Sequence, residues 1–295
     1  PHIIEKPEKK ASQIEGLPNL DDKFVVFSMS QWNHRKGFDK LIQAFCMEFE
    51  DQQDVALVLK TYGHFVGDVS REEEDKQNIE IHKNITSIKS SVHLGLGRTP
   101  AASVYFIPGV LPYKNISWLH EKSDLFALMT RGEGFGLTIA EALSHGRPVM
   151  VPDQGGHVDY IHPDAAFFVE GNWEPHTGDA NFTSDMCWYE PHTISARKQL
   201  RKAYNMWKED KRYLQRKGDI GREYALTAGY DLTSIGEKFC NIIEEEYNTL
   251  TYNLSGENKR LYLKQELKKV NTLEEKMDVL KDSYKGETCY LLTCG

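Results

Sequence analysis

The chain has 295 residues, a length that suggests about two domains and is sufficient to bury sizeable hydrophobic cores. Hydrophobic residues make up 40% of the sequence and charged residues 27%, a composition typical of soluble globular proteins. The 44 acidic residues outnumber the 36 lysines and arginines, which gives a formal net charge of -8. A nucleic acid is therefore not the expected partner, because phosphate backbones favour basic surfaces.

Two further features argue for a cytoplasmic protein. No apolar run approaches the length of a membrane-spanning helix, and the first residues lack the short apolar core of a signal peptide. The cysteines are odd in number, widely separated and never spaced C-x-x-C, which is typical of reduced thiols in the cytosol. They are Cys46, Cys187, Cys240, Cys289 and Cys294.

Short apolar runs alternate with helical patterns along the first half of the chain. The polar residues 1–22 are interpreted as a leader or linker, and ordered structure is predicted from Lys23. The predicted strands are 24–28, 55–59, 104–107, 125–129 and 148–151, and the predicted helices are 38–49, 70–90, 113–121 and 137–144. This alternation predicts an α/β fold with a doubly wound parallel sheet covered by helices on both faces. Ligands of such sheets bind beyond the carboxyl ends of the strands.

The second half of the chain is predicted to be helical. Thr193 can cap a helix that reaches Trp207, and two further helices are predicted at 213–226 and 232–247. The predicted domains are a leader or linker at 1–22, an α/β domain at 23–247, and a helical tail at 248–295.

The tail, 248–295, carries an amphipathic stripe with apolar residues three or four apart, at 263, 267, 270, 273, 277, 280 and 284. Such a helix either packs on its own domain or binds a partner. Residues 288–295 resemble a buried strand that could open a further α/β domain. Because the chain starts at Pro1 and stops at Gly295 after an apolar run, we expect it to be a piece of a larger protein.

The most informative segment is the turn that connects a predicted strand to a predicted helix between 130 and 144. Gly132, Gly134 and Gly136 allow the backbone to approach a ligand closely, and the free amides of the helix suit a phosphate. Glu133 and Glu141 flank the turn, and their carboxylates can accept hydrogen bonds from sugar hydroxyls. Taken alone, the glycines also fit an ordinary tight connection between a strand and a helix.

These residues resemble the retaining glycosyltransferases of the GT-B fold, and family 4 in particular. That family reads Glu-Gly-Phe-Gly-Leu, then Glu-Ala, then Gly-x-Pro-Val, as residues 133–149 do here. Residues 35–38 are similar to its Lys-Gly element, and residues 155–161 to its Gly-Gly-x-x-Glu segment with Asp159 in place of Glu. The similarity extends over about residues 23–247, and it implies a Rossmann-like donor domain.

The resemblance implies that a nucleoside diphosphate sugar binds here. Lys36 would contact the diphosphate, Glu141 the ribose hydroxyls and Glu133 the transferred sugar. The implied catalytic residues are Glu133 and Lys36, and the implied donor-binding residues are Lys36, Arg131, Gly134, Phe135, Gly136, Leu137, Thr138 and Glu141. No metal and no other cofactor are expected, because the related enzymes need none.

One departure from the family concerns positive charge. The family usually has an arginine about six residues before the lysine, and Ser30 stands there in this chain. Either the diphosphate is held with less positive charge, or Arg35 or Arg131 substitutes, and we favour Arg131 because it lies beside the glycine turn.

The function implied by the resemblance is transfer of a sugar from a nucleoside diphosphate sugar to an acceptor hydroxyl with retention, as in glycan or polysaccharide biosynthesis. The chain would be the donor half, and an N-terminal acceptor domain would be missing. The sequence leaves the acceptor open among a glycan, a lipid and a protein. Two alternatives remain open: a non-catalytic nucleotide-sugar-binding module of a multidomain protein, and a GT-B-fold sugar-nucleotide epimerase. Trp173, Trp188 and Tyr189 either pack internally or stack on a base or acceptor.

Overall fold

The computed structural model describes residues 4, 7, 11–14, 16–63, 70–97, 100–176 and 186–253. They divide into two compact units, one that ends at Ala228 and one that starts at Gly229. The predicted domain limits at 22 and 247 stay predictions. The amphipathic stripe of the predicted tail, at 263–284, and the predicted strand at 288–295 lie outside the described residues.

The first unit alternates strands and helices. Its strands are β1 (Phe24–Gln31), β2 (Val55–Tyr62), β3 (Ser103–Ile107), β4 (Leu125–Ala127), β5 (Val149–Pro152), β6 (Ala166–Val169), β7 (Gly171–Pro175) and β8 (Cys187–Pro191). Its helices are α1 (Phe38–Glu48), α2 (Arg71–Leu96), α3 (Tyr113–Lys122), α4 (Leu137–Ser144), α5 (Thr193–Glu209) and α6 (Arg212–Thr227). The described part of the second unit contains the helix α7 (Leu232–Asn253).

Strands β1 to β6 form one parallel sheet in the order β3-β2-β1-β4-β5-β6. In the register, Phe27 of β1 lies beside Val58 of β2 and Phe126 of β4. The chain order reverses between β1 and β4, so the carboxyl ends of these two strands border the crevice in which such sheets bind ligands. The predicted doubly wound α/β fold is confirmed.

The core lies between the sheet and the helices on each face. Helix α1 packs against α2 and α5 on one face, while α4 packs against α6. On the first face, the ring of Phe24 contacts those of Phe49 and Tyr204, and on the other face the ring of Phe27 lies 5.0 Å from that of His120. Burying a side chain such as Phe24 contributes about 1.5–3 kcal/mol, so this packing holds β1 between the two layers of helices.

The structure also differs from the predicted elements. Strands β6, β7 and β8 are absent from the prediction, and β7 and β8 form a separate two-stranded antiparallel ribbon. Thr193 is the first residue of α5 and not its cap. The N-cap is His192, which is the last residue in the extended conformation before the helix begins. None of the helices within the described residues has the length and apolar character needed to cross a bilayer.

Candidate functional site

The loops that leave β1 and β4 form the candidate site. They are residues 32–37 and 128–136, and both begin at the carboxyl edge of the sheet, where its strand order reverses. All site residues predicted from the sequence lie in these loops or in the first two turns of α4.

Lys36 lies in a short 3-10 turn, His34–Lys36, between β1 and α1. The side-chain oxygen of Asn33 accepts a hydrogen bond from the backbone amide of Lys36 at 3.1 Å, which caps the turn. Gly37 ends it with φ 66°, and a Cβ at this position would lie 1.7 Å from the carbonyl oxygen of Met129. Glycine is therefore required here to let the Lys36 turn approach the end of β4.

The glycine turn after β4 is supported by the segment that follows β5. The amide of Gly156 donates to the carbonyl of Glu133 at 2.9 Å, and a Cβ on Gly156 would lie 1.8 Å from the carbonyl oxygen of Gly134. The hydroxyl of Tyr160 donates to the carbonyls of Phe135 and Gly136, at 2.7 and 2.9 Å. The Gly-Gly segment identified in the sequence thus fixes the backbone of the glycine turn.

Lys36 and Glu133 form an ion pair across the crevice, with Nζ 2.5 Å from Oε1. Both side chains are largely buried, with exposed fractions of 14% and 7%. Burial lowers the pKa of the Lys36 ammonium, and the Glu133 carboxylate opposes that shift. Thr130 Oγ1 also donates to Glu133 Oε1, at 2.9 Å, which orients the carboxylate. Oε2 accepts no hydrogen bond from the described residues.

Arg35 joins the same pair from the solvent side. Its Nη1 donates to the carbonyl of Gly132 at 2.5 Å and lies 3.4 Å from Glu133 Oε1. The side chain is 40% exposed, which leaves part of the guanidinium accessible to a ligand. Two cations therefore converge on one carboxylate oxygen, and their combined charge exceeds that of the carboxylate.

Arg131 does not have the surroundings expected of a residue that contacts the diphosphate. Its side chain is 2% exposed, and it forms paired hydrogen bonds with the carboxylates of Asp39 and Glu190. Its Nη1 also donates to the backbone carbonyl of His34. These bonds occupy all five N–H donors of a guanidinium. No donor of Arg131 is left for a diphosphate, and the structure does not support the predicted contact.

The first turn of α4 presents unpaired amides to the crevice. Gly136 adopts φ 84° and begins the helix, and none of the described residues accepts a hydrogen bond from the amides of Leu137 or Thr138. The positive end of the helix dipole adds to their attraction for anions. This arrangement suits a phosphate close to the Lys36 turn.

Glu141 lies one turn further along α4. None of the described residues donates a hydrogen bond to its carboxylate or forms an ion pair with it, and burial raises its pKa to about 7. A poorly solvated carboxylate without a protein partner is suited to accept hydrogen bonds from ligand hydroxyls.

The structure also places Ser30, the aromatic residues that the sequence singled out, and His157 of the Gly-Gly segment. Ser30 is buried in β1 at 5% exposure. Trp188 and Tyr189 are buried in the ribbon, whereas Trp173 is 62% exposed. His157 is buried and bonds through Nε2 to the carbonyl of Pro152. Over the described ranges, no three His, Cys, Asp or Glu side chains are grouped as metal ligands would be.

Three residues around the site were missed by sequence reasoning. They are Thr130, which orients Glu133, and Asp39 and Glu190, which bind Arg131. Thr130 lies next to the recognised motif and could have been included. Asp39 and Glu190 are 92 and 59 residues from Arg131 in sequence, and no local pattern pairs them.

Comparison with known proteins identifies the family. Residues 9–177 match the family of group 1 glycosyl transferases. The chain therefore belongs to the group 1 glycosyltransferase family.

Two curated relatives illustrate the similarity in sequence. Mannosylfructose-phosphate synthase of Agrobacterium fabrum is 32% identical over 133 residues, which cover 45% of this chain and 26% of that protein. Sucrose synthase 4 of Oryza sativa subsp. japonica is 26% identical over 247 residues, covering 72% of this chain and 29% of that protein. The chain thus spans less than a third of the length of either relative.

Solved structures share the fold. The α,α-trehalose 6-phosphate synthase of Burkholderia multivorans superposes with a TM-score of 0.53 at 13% identity, over 78% of this chain and 45% of that one. Anabaena HepE, in complex with UDP and glucose, gives a TM-score of 0.50 at 19% identity, over 77% of this chain and 49% of that one. These neighbours are GT-B glycosyltransferases, so the chain has the α/β architecture of that fold.

Proposed function

We propose that this chain is the donor-binding half of a retaining glycosyltransferase that uses a nucleoside diphosphate sugar. The observation that carries the proposal is the convergence of Arg35 and Lys36 on Glu133 at the switch point of the sheet, a few residues before the first amides of α4, which have no acceptor among the described residues. Cations and helix amides suit a diphosphate, and carboxylates suit the hydroxyls of a sugar. HepE and the Escherichia coli trehalose-6-phosphate protein bound with UDP-2-fluoro glucose support a nucleotide sugar as the ligand class.

In the proposed complex, the diphosphate lies between the Lys36 turn and the first amides of α4. Lys36 and Arg35 stabilise the negative charge that develops on the leaving nucleoside diphosphate when the bond to the sugar breaks. Glu141 accepts hydrogen bonds from the ribose, and Gly134 and Phe135 let the backbone approach the ligand. Arg35 takes the place of the second cation that Arg131 cannot supply, because all donors of Arg131 are bound to protein acceptors.

Glu133 contacts the transferred sugar in this proposal. Its Oε1 is held by Thr130 and Lys36, while its Oε2 has no donor among the described residues. This leaves one oxygen to accept a hydrogen bond from a sugar hydroxyl and orient the ring. Donor binding that draws Lys36 towards the diphosphate would free more of the carboxylate for this contact.

The acceptor is assigned to a second α/β domain that closes over the donor. The coverage supports this assignment, because the chain covers less than half of the structures that it resembles. The experiment is product analysis with UDP-glucose and UDP-N-acetylglucosamine, using this chain alone. We expect nucleotide binding with little transfer, whereas rapid transfer by these 295 residues would contradict the donor-half proposal.

Binding without catalysis is the second candidate function. The observation that favours it is Ser30, which is buried in β1 and puts no cation at the strand end. Product analysis of this chain alone detects epimerisation, which gives a new nucleotide sugar. Transfer with retention is distinguished from binding alone when the analysis is repeated with an acceptor domain supplied.

A further inference from the structure

Four charged side chains form a compact cluster behind the candidate site. They are Arg131, Asp39, Glu190 and Lys40, and we call them the clamp cluster. Arg131 binds both carboxylates, and Lys40 Nζ lies 2.9 Å from Glu190 Oε1. The cluster contains two cations and two carboxylates, so it adds no net charge to the crevice.

The cluster joins segments that are distant in sequence. Asp39 belongs to the first turn of α1, Glu190 to β8, and Arg131 directly precedes the glycine turn. The backbone of Arg131 is held as well: its amide donates to the carbonyl of Arg35 at 2.6 Å, and its carbonyl accepts from the amide of Tyr189 at 3.0 Å. The ring of Trp188 lies against His34 and against the guanidinium of Arg131.

We propose that Glu190 is a positioning residue of the donor site, which acts through Arg131 to set the separation of Lys36 and Glu133. The inference rests on the proposed function, because it assumes that these two residues meet the donor. Glu190 itself belongs to the β7–β8 ribbon and forms ion pairs with Arg131 and Lys40. The ribbon thereby becomes part of the donor site without touching the ligand.

The mechanism is geometric. Arg131 and Glu133 are separated by one residue, while Lys36 follows the two residues, His34 and Arg35, whose carbonyls accept from Arg131. A guanidinium that is bound by carboxylates on two sides holds the Lys36 loop and the Glu133 turn at a fixed separation. Its planar shape gives each hydrogen bond a defined direction. Without the Glu190 carboxylate, the guanidinium keeps its bonds to Asp39 and His34 but is no longer fixed from the side of β8, and the spacing of the Lys36–Glu133 pair relaxes.

The substitution Glu190→Gln separates this mechanism from simple electrostatics. It removes one negative charge close to the diphosphate, so electrostatics alone would strengthen the binding of UDP. A positioning role predicts weaker binding, by about twofold to 30-fold. The control is Glu174→Gln, which makes the same change of charge at an exposed position of the neighbouring strand β7. Titration calorimetry with UDP measures both variants.

A second comparison distinguishes positioning from general loss of structure. If Glu190 acts through the Lys36–Glu133 pair, Glu190→Gln weakens UDP binding less in a Lys36→Met background than in the wild type. Equal losses in the two backgrounds would mean that Glu190 has only a general structural role, and would overturn the inference. Unchanged or tighter UDP binding by Glu190→Gln would overturn it as well.

Amide exchange gives a readout that needs no ligand. The amide of Arg131 donates to the carbonyl of Arg35, and the amide of Gly156 donates to that of Glu133. Their exchange rates therefore show how firmly the loops of the site are held together. We expect faster exchange at both amides in Glu190→Gln and unchanged exchange in Glu174→Gln. If the wild type binds no nucleotide, the proposed function fails, and these exchange rates still decide whether Glu190 positions the two segments.

Discussion

Lys36 Nζ and Glu133 Oε1 lie 2.5 Å apart, across the point where the strand order of the sheet reverses. The pair holds two functional side chains in place before a ligand arrives, which lowers the cost of ordering them on binding. It also couples them, because an anion that binds Lys36 competes with Glu133 for the same ammonium. The pair therefore links recognition of the diphosphate to presentation of a carboxylate to the sugar.

Replacing Lys36 should weaken the binding of UDP much more than that of uridine. Lys36→Met removes a charge-assisted contact to the diphosphate, and we expect a loss of about 10-fold to 100-fold in UDP affinity. The control is Lys83→Met, at an exposed position on α2. Equal losses for UDP and uridine would show that Lys36 does not contact the diphosphate.

Arg35 and Arg131 should give opposite phenotypes. Arg35 is partly exposed, so Arg35→Met should weaken UDP binding severalfold and leave the melting temperature nearly unchanged. Arg131→Met leaves Asp39 without its guanidinium partner and Glu190 with Lys40 alone, and we expect the free energy of unfolding to fall by about 3–5 kcal/mol. Denaturant titration and calorimetry measure these effects. If Arg131→Met were stable and had lost only UDP binding, the result would support a direct contact between Arg131 and the diphosphate, against the structure.

Glu141 should make stability depend on pH. Its pKa is raised to about 7 from an ordinary value of 4.5, so the folded protein binds this proton more tightly than the unfolded chain. The contribution of Glu141 to stability therefore falls as the pH rises from about 4.5 to 7, and it stays unfavourable above pH 7. Glu141→Gln should be more stable than the wild type by about 1–3 kcal/mol at pH 8, and nearly equal to it at pH 5. Thermal unfolding at both pH values tests this, and a difference that does not change with pH would refute it.

Two glycines, Gly37 and Gly97, allow a matched test of how closely the Lys36 turn packs against the end of β4. Both have positive φ, at 66° and 71°, but a Cβ on Gly37 would lie 1.7 Å from the Met129 carbonyl oxygen, whereas one on Gly97 meets nothing within 4 Å. Gly97→Ala should cost only about 1 kcal/mol of conformational strain. Gly37→Ala should cost several times as much, because the turn must move away from β4. Similar melting temperatures for the two variants would argue against the close packing of this turn.

The sheet was predictable because its strands are buried on both faces and appear as continuous apolar runs, as in β2. The ribbon was not, since β7 is mostly exposed and starts and ends with glycine and proline. The glycine turn and its two glutamates were recognisable from their order along the chain. The partners of Arg131 were not, because the contacts to Asp39 and Glu190 exist only once α1 and β8 have folded against the turn. For the same reason, sequence reasoning favoured Arg131 over Arg35 as the second cation, although the donors of Arg131 are occupied by protein acceptors.

The central claim is that the crevice between β1 and β4 binds a nucleoside diphosphate through Lys36 and Glu141. Its most direct test is calorimetric titration of this chain with UDP, GDP and ADP, repeated with Glu141→Ala and with Glu223→Ala, an exposed position on α6, as the control. We predict that at least one nucleotide binds, that Glu141→Ala weakens its binding by about tenfold or more, and that Glu223→Ala leaves it unchanged. Binding of none of the three nucleotides, or equal affinities in the wild type and Glu141→Ala, would contradict the claim.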